Sequence, residues 1–216
     1  MSLEQISLHN TLPRVFAGQS GIHSDVWLQD ITLERGKRYL ISAESGTGKS
    51  SMCSYIYGYR KDYSGSITFD TTDINTLTVA QWCEIRQRHI AYLPQDMRLF
   101  GELTAIENVE LKNRLTGFKS RQDILHLFEA MGIADKLNSL ASKLSIGQQQ
   151  RVAIIRTLCQ PCDFILLDEP VSHLDNENNS IVANLITQEA ARQGAGIIAT
   201  SVGNHLKIDV DNTFNL

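Results

Sequence analysis

Apolar and polar residues alternate over 28–33 and again over 65–70, and each run reads as a half-buried strand. Tyr39, Leu40 and Ile41 make a short apolar run suited to a buried strand. The loop-like stretch 43–48 follows, and 50–56 then sets Met52, Tyr55 and Ile56 on one helical face. Residues 90–93 form another short strand, stopped by Pro94. From 104 to 144 the pattern changes: Ile124, Leu127, Phe128 and Met131 keep helical spacing, so this stretch reads as a helical insertion. Val152, Ile155, Leu158 and Cys159 mark a further amphipathic helix. Residues 164–167 are continuously apolar, as in a parallel sheet covered on both faces, and 195–200 repeat the pattern. A helix over 179–193 between them completes a βαβ unit. The expectation is one α/β domain over 1–216. Its β and core part spans 1–94, the helical subdomain spans about 95–145, and the core resumes over 146–216.

Composition changes this picture little. The chain has 216 residues, 42% hydrophobic and 20% charged, enough apolar material for a sizeable core and no sign of disorder. A net charge of -4 gives no basic balance of the kind that advertises nucleic acid, so no nucleic-acid partner is expected. No apolar stretch is long enough to span a bilayer and the N-terminus lacks a signal-peptide layout, so direct membrane insertion is not expected and a cytoplasmic location is. Cys159 and Cys162 form a lone CxxC. Two small buried residues flanking a turn is the reading favoured over a redox pair or half a zinc site, because no second pair accompanies them.

The stretch Glu44, Ser45, Gly46, Thr47, Gly48, Lys49, Ser50 lies between an apolar strand and a helix. Glycines let the backbone curl so that successive N–H groups point at phosphate oxygens, and the helix start adds its positive end. Lys49 is placed to neutralise β- and γ-phosphates, and the Ser50 hydroxyl to ligate Mg²⁺. Ala43 stands where the strict pattern has glycine, which a negative φ makes tolerable. The strand 164–167 delivers two carboxylates, Asp168 and Glu169, at its C-terminal end, where open parallel sheets bind ligands. Asp168 suits Mg²⁺, and Glu169 suits polarising an attacking water.

These motifs, with three more, resemble the nucleotide-binding domains of the ABC (ATP-binding cassette) ATPases over nearly the whole chain. Leu144, Ser145, Ile146, Gly147 and Gln148, followed by Gln149, Gln150 and Arg151, resemble the family signature; Gln95 resembles the Q-loop glutamine; Ser172, His173, Leu174 and Asp175 resemble the D-loop. Phe16 is the candidate for stacking on adenine, whereas Tyr39 and Trp27 fit strand packing. Ser51 closes the nucleotide-binding stretch. The resemblance implies a P-loop NTPase with a mostly parallel core sheet, an N-terminal antiparallel β subdomain and a helical insertion. It implies ATP and Mg²⁺ as cofactors, with Ser50, Gln95 and Asp168 around the metal and Glu169, Gln95 and Ser201 in the catalytic positions. It further implies a second copy or a homologous cassette paired head-to-tail, so that each signature completes the other chain's site. An integral membrane permease subunit is the implied partner, and the chain would sit peripherally on the inner face of the cell membrane through it. The 103–109 stretch resembles the short cassettes of lipoprotein-release, macrolide-type export and cell-division systems, and 99–104 matches the region where the family docks its membrane subunit.

Two further departures from the family pattern weigh on the chemistry. Ile146 replaces the first signature glycine. Ser201 stands where the family has its switch histidine, with His205 a few residues later as a residue that could fold back. An ATPase that drives a permease is the leading expectation, and a slow-turnover nucleotide-gated switch or clamp is the alternative.

Overall fold

The structure is a computed structural model describing residues 2–19, 21–44 and 46–216. Its elements in chain order are β1 (Gln5–Pro13), β2 (Asp30–Glu34), β3 (Arg38–Ser42), α1 (Lys49–Ile56), β4 (Tyr63–Phe69), β5 (Thr72–Asp73), α2 (Val79–Arg88), β6 (Ile90–Leu93), α3 (Ala105–Asn113), α4 (Arg121–Ala130), α5 (Ile146–Thr157), β7 (Phe164–Asp168), α6 (Asn176–Gln193), β8 (Gly196–Ser201) and β9 (Asn212–Asn215). One sheet has the order β2-β1-β4-β5 with antiparallel neighbours; the other has the order β6-β7-β8-β3-β9 with parallel neighbours. This is the expected architecture, with α3 and α4 forming the insertion between β6 and α5.

The parallel sheet separates two apolar cores. Along β7 every residue is buried, and successive side chains go to opposite sides: Ile165 and Leu167 join the core under α3 to α6, and Phe164 and Leu166 join the core shared with α1 and the antiparallel sheet. β8 repeats this, with Ile197 and Ala199 on the first side and Ile198 on the second. Two-sided burial is why both strands read as unbroken apolar runs. At the sheet's N-terminal end, Asp163 accepts hydrogen bonds from the Leu3 amide (2.8 Å) and His89 (2.6 Å) and faces Arg35 (3.3 Å). Burial pushes this carboxyl up, but His89, the Leu3 amide and Arg35 outweigh it and hold it below its ordinary value. The antiparallel layer is thereby tied to the parallel one.

Several elements lay outside the sequence reading. β1 is the centre of the antiparallel sheet, yet its register breaks between His9 and Leu12, where Asn10 has φ 46°. The bulge disrupts the alternation on which a strand reading rests. β9 is short and polar, and α2 buries Trp82 alone, so neither carries a strong period. β2 starts later than alternation suggested, because Leu28 is half exposed and left-handed (φ 61°). Trp27 is therefore in a turn, which corrects its assignment to strand packing; Tyr39 is in β3 and buried, with its hydroxyl accepting from the Glu34 amide at 2.8 Å. Four helices, α2 to α5, begin with reciprocal capping boxes: Thr78 with Gln81, Thr104 with Glu107, Ser120 with Asp123, and Ser145 with Gln148. Among the described residues no helix is long and apolar enough to cross a membrane. Burial pushes the Cys159 and Cys162 thiols up to about 12, so both are protonated packing groups at neutral pH.

Candidate functional site

The C-terminal ends of β3, β7 and β8 lie side by side, and three sequence-distant segments meet there. From β3 the chain turns through 43–48 into α1. Ala43 is not among the non-glycine residues with positive φ, so its methyl is accommodated, and its amide donates to the Ser201 carbonyl at 3.2 Å. Gly48 sits at φ 101°, and a side chain there would press on the rings of Trp27 (3.1 Å) and Phe16 (3.2 Å). Both backbone conformation and space demand glycine. Lys49, 4% exposed, donates across the loop to the Glu44 carbonyl at 2.8 Å and lies 3.9 Å from Glu169. Thr47 donates to the same carbonyl at 2.9 Å. The Ser51 hydroxyl is held by Arg60 at 2.9 Å. Ser45 lies outside the described residues.

The acidic pair ends β7. Asp168 is buried and accepts from the Thr200 hydroxyl at 2.8 Å; the same hydroxyl accepts from the Glu169 amide at 3.1 Å. One threonine thus fixes both carboxylate residues. Glu169 adopts φ 51°, a conformation that costs a non-glycine residue about 1–2 kcal/mol, so surrounding bonds impose it. One such bond runs from the Gln150 amide group to the Glu169 carbonyl, 3.2 Å, linking the signature helix α5 to the acidic turn. Neither Thr200 nor Gln150 was singled out from sequence for this; Thr200 carries no motif signal, and Gln150 was legible only as part of the QQR string.

Gln95 lies beside the start of α1. Its side-chain oxygen is 3.3 Å from the Ser50 hydroxyl. Two oxygens on adjacent vertices of an octahedral Mg²⁺ shell, each at about 2.1 Å, stand about 3 Å apart, so this pair fits the ion. The buried Asp168 carboxylate keeps one oxygen free of protein hydrogen bonds among the described residues, and it suits a water-mediated contact.

Ser201 is buried, and its hydroxyl donates to the Asn204 carbonyl at 2.8 Å, inside its own loop. The idea that His205 folds back is not supported: His205 is exposed, its carbonyl accepts from Asn179 (2.9 Å), and its ring makes no hydrogen bond among the described residues. Residue 201 therefore presents a small hydroxyl already engaged within its own loop.

The signature segment faces outward. Ser145 caps α5 and Gln148 closes the box, Leu144 is buried, and Ile146 is 52% exposed, so it projects from the chain. A side chain at Gly147 would come within 3.0 Å of the His173 carbonyl, which is why the D-loop can pack against this helix start. His173 is held by its amide to Gln150 (3.1 Å) and by its ring to Ser172 (3.0 Å); Leu174 is buried. Asp175 caps α6, and the Asn178 amide and side chain hold its carboxyl below the ordinary value. No hydrogen bond joins 144–148 to the phosphate loop among the described residues.

Residues 29–172 match the family described as ABC transporter. The chain belongs to the ABC transporter family. It is 33% identical over 183 residues to the ABC transporter ATP-binding protein YtrE of Bacillus subtilis, covering 82% of this chain and 79% of that one. It is 30% identical over 203 residues to the macrolide export ATP-binding/permease protein MacB of Shewanella sp., covering 92% of this chain and 31% of that longer protein. In structure it is similar to the dimeric bacterial ABC transporter cassette MJ0796, with TM-score 0.77, 28% identity, and 91% and 87% of the two chains covered. The same cassette is known dimeric in a post-hydrolysis state bound to ADP and Pi, at TM-score 0.73, 27% identity and coverage of 92% and 88%. These likenesses support a transport ATPase over a free-standing switch.

Beside the phosphate loop of this ABC cassette lies an open slot of about 340 Å³ walled by Phe16, Ile22, Trp27 and Thr47. Phe16, the aromatic expected to stack on adenine, is one of its walls. Trp27, set aside from sequence, does something different: its indole N–H donates to the Thr47 carbonyl at 2.9 Å and ties the turn before β2 to the phosphate loop. Trp27→Phe keeps the ring and removes this bond. Isothermal titration is expected to show ATP binding weakened about two- to tenfold, the worth of one net hydrogen bond. An unchanged Kd would mean that the bond does not order the loop.

Proposed function

We propose that this chain is the ATP-hydrolysing subunit of a membrane transporter, working as a pair of cassettes around two ATP molecules. The observation that carries the reading is the meeting of Lys49, the Ser50–Gln95 oxygen pair and the Asp168–Glu169 turn at the C-terminal end of the parallel sheet, while the start of α5, with Ser145 and Gly147, shares no hydrogen bond with the phosphate loop among the described residues. A site with phosphate and metal ligands on one surface and an anion-seeking helix start on another is completed by a second cassette turned head-to-tail. The phosphate loop amides and Lys49 hold the β- and γ-phosphates, and Phe16 meets the base. Ser50, Gln95 and Asp168 would hold Mg²⁺, which would supply positive charge against the γ-phosphate. Glu169 accepts a proton from the attacking water. Ser145 and Gly147 of the other cassette meet the γ-phosphate at the N-terminus of α5.

Motion follows from the bonds around the site. Gln95 reaches Ser50 and begins the segment into the insertion, and Gln150 joins α5 to Glu169. A change at the γ-phosphate therefore shifts the helical subdomain relative to the core. Beyond the Q-loop, Leu99 packs inward while Phe100 is 51% exposed, its backbone fixed by Asn108 at 2.8 and 3.0 Å. With Tyr59, Leu111 and Leu115 it borders a groove on the insertion. This exposed apolar rim supports docking of a cytoplasmic segment of the permease, which would hold the chain on the inner membrane face. The test is recovery of the tagged chain from solubilised membranes. A polytopic membrane protein is expected to co-purify, and a chain recovered wholly without one would favour the nucleotide-gated switch.

Turnover is slow in this reading, because Ser201 gives the γ-phosphate no imidazole. Ser201→His is expected to raise phosphate release at saturating ATP by at least about tenfold. An unchanged rate in a variant that still binds ATP would show that position 201 does not limit the chemistry.

A further inference from the structure

The groove on the insertion has an uneven charge. Its lining residues include three cations, Arg98, Lys112 and Arg156, and no carboxylate. Arg98 is answered by Asp96 at 3.1 Å. Lys112 and Arg156 have no ion-pair partner among the described residues. Lys112 donates to the Arg86 carbonyl at 3.1 Å, and Arg156 donates to the Arg98 carbonyl at 2.7 Å and to the Met97 carbonyl. Both are half buried, so neither charge is fully hydrated. Around them the walls are aromatic: Tyr57 and Tyr92 have ring centroids 4.8 Å apart, as do Tyr57 and Tyr59.

Half-buried cations without a carboxylate cost an isolated chain free energy and are stabilised once an opposite charge arrives in the same dry environment. The apolar rim of Phe100, Leu111 and Leu115 favours a protein segment over a free anion as the occupant. We propose that the groove takes a helix or loop of the membrane partner bearing an aspartate or glutamate, whose carboxylate pairs with Lys112 and Arg156. This rests on the docking reading above and adds the chemistry of the segment. Burial, with the Arg156 charge beside it, brings the Lys112 ammonium down to about 8, as expected of a cation waiting for its counter-charge. Arg156 also ties the groove to the engine: it projects from the signature helix α5 onto Met97 and Arg98, two left-handed residues (φ 57° and 49°) just past Gln95. A carboxylate bound there touches the bonds that hold the Q-loop.

The test uses the full chain in its own cells with a photocrosslinking benzoylphenylalanine at Leu115, on the rim, followed by sequencing of the crosslinked peptide. The expected peptide is a cytoplasmic segment of a membrane protein containing Asp or Glu. Lys112→Glu is expected to cut the crosslink about tenfold or more, and exchanging that acid for lysine in the partner to restore it. A membrane-protein segment without an acid, or a yield indifferent to Lys112→Glu, overturns the carboxylate inference and leaves docking standing. A crosslink to lipid or to a protein outside the membrane, or none, overturns docking itself. Purified Lys112→Met is the folding control. It is expected to melt no lower than the parent, because Gln160 still donates to the Arg86 carbonyl at 3.3 Å. A fall of several degrees would assign Lys112 to the fold and sink the proposal.

Discussion

Glu169→Gln is expected to bind ATP as the parent does, to lose turnover by about 10²–10⁴-fold, and to accumulate as an ATP-bound dimer on gel filtration. The substitution is nearly isosteric and keeps an oxygen near Lys49, so the Thr200 and Gln150 bonds that set the turn remain, since both are to the residue 169 backbone. What it removes is the carboxylate proposed to take the water's proton. It also removes a negative charge facing the γ-phosphate, which favours the closed, loaded pair. Two readouts are therefore linked: a variant that neither hydrolyses nor dimerises would point to damage at the turn, and one that turns over at the parental rate would exclude Glu169 as the base.

Lys49→Ala is expected to weaken ATP binding by about 10²-fold or more, read by titration with a fluorescent ATP analogue. Lys49 is 4% exposed, so its charge meets phosphate in a place where water does little screening. Without nucleotide its ammonium spans the loop to the Glu44 carbonyl and lies near Glu169. Truncation therefore has two effects: the phosphate loses its counter-charge, and the empty loop loses an internal brace. Lys49→Met separates them, since it keeps the stem's packing without the charge. Binding lost equally in both variants assigns the effect to charge; binding retained in Lys49→Met would overturn the role given to the ammonium.

Local order in the sequence determined much of this protein. Strand, glycine loop and helix around Lys49, and apolar strand with Asp168 and Glu169, are each continuous in sequence, and their geometry follows from short-range rules: glycine at left-handed turns, an anion at a helix start, ligands at the ends of parallel strands. The two-sided burial of β7 and β8 was equally legible, because a strand covered on both faces must be apolar at every position. The Thr-x-x-Gln at Thr78 that starts α2 was legible in principle too. It stands alone as a signal, because a helix burying one tryptophan shows little period. β1 and β9 were hidden for a different reason. A bulged strand and a short polar one are stabilised by their neighbours' hydrogen bonds, which no local pattern records.

Only the tertiary structure decided who touches whom around the motifs. Trp27 looked like strand packing and became the anchor of the phosphate loop, since a left-handed Leu28 delays β2 and releases the indole. Thr200 and Gln150 carry no signal of their own, and their parts come from the alignment of β8 with β7 and from α5 lying over the acidic turn. His205 was near Ser201 in sequence and yet is committed elsewhere, because the loop after β8 is closed by Asn204 and Asn179. Sequence placed the chemistry, since the phosphate loop and the acidic turn are each built from neighbours. The support for that chemistry comes from residues brought close by folding, which depends on sheet order and layer packing that a linear pattern does not encode.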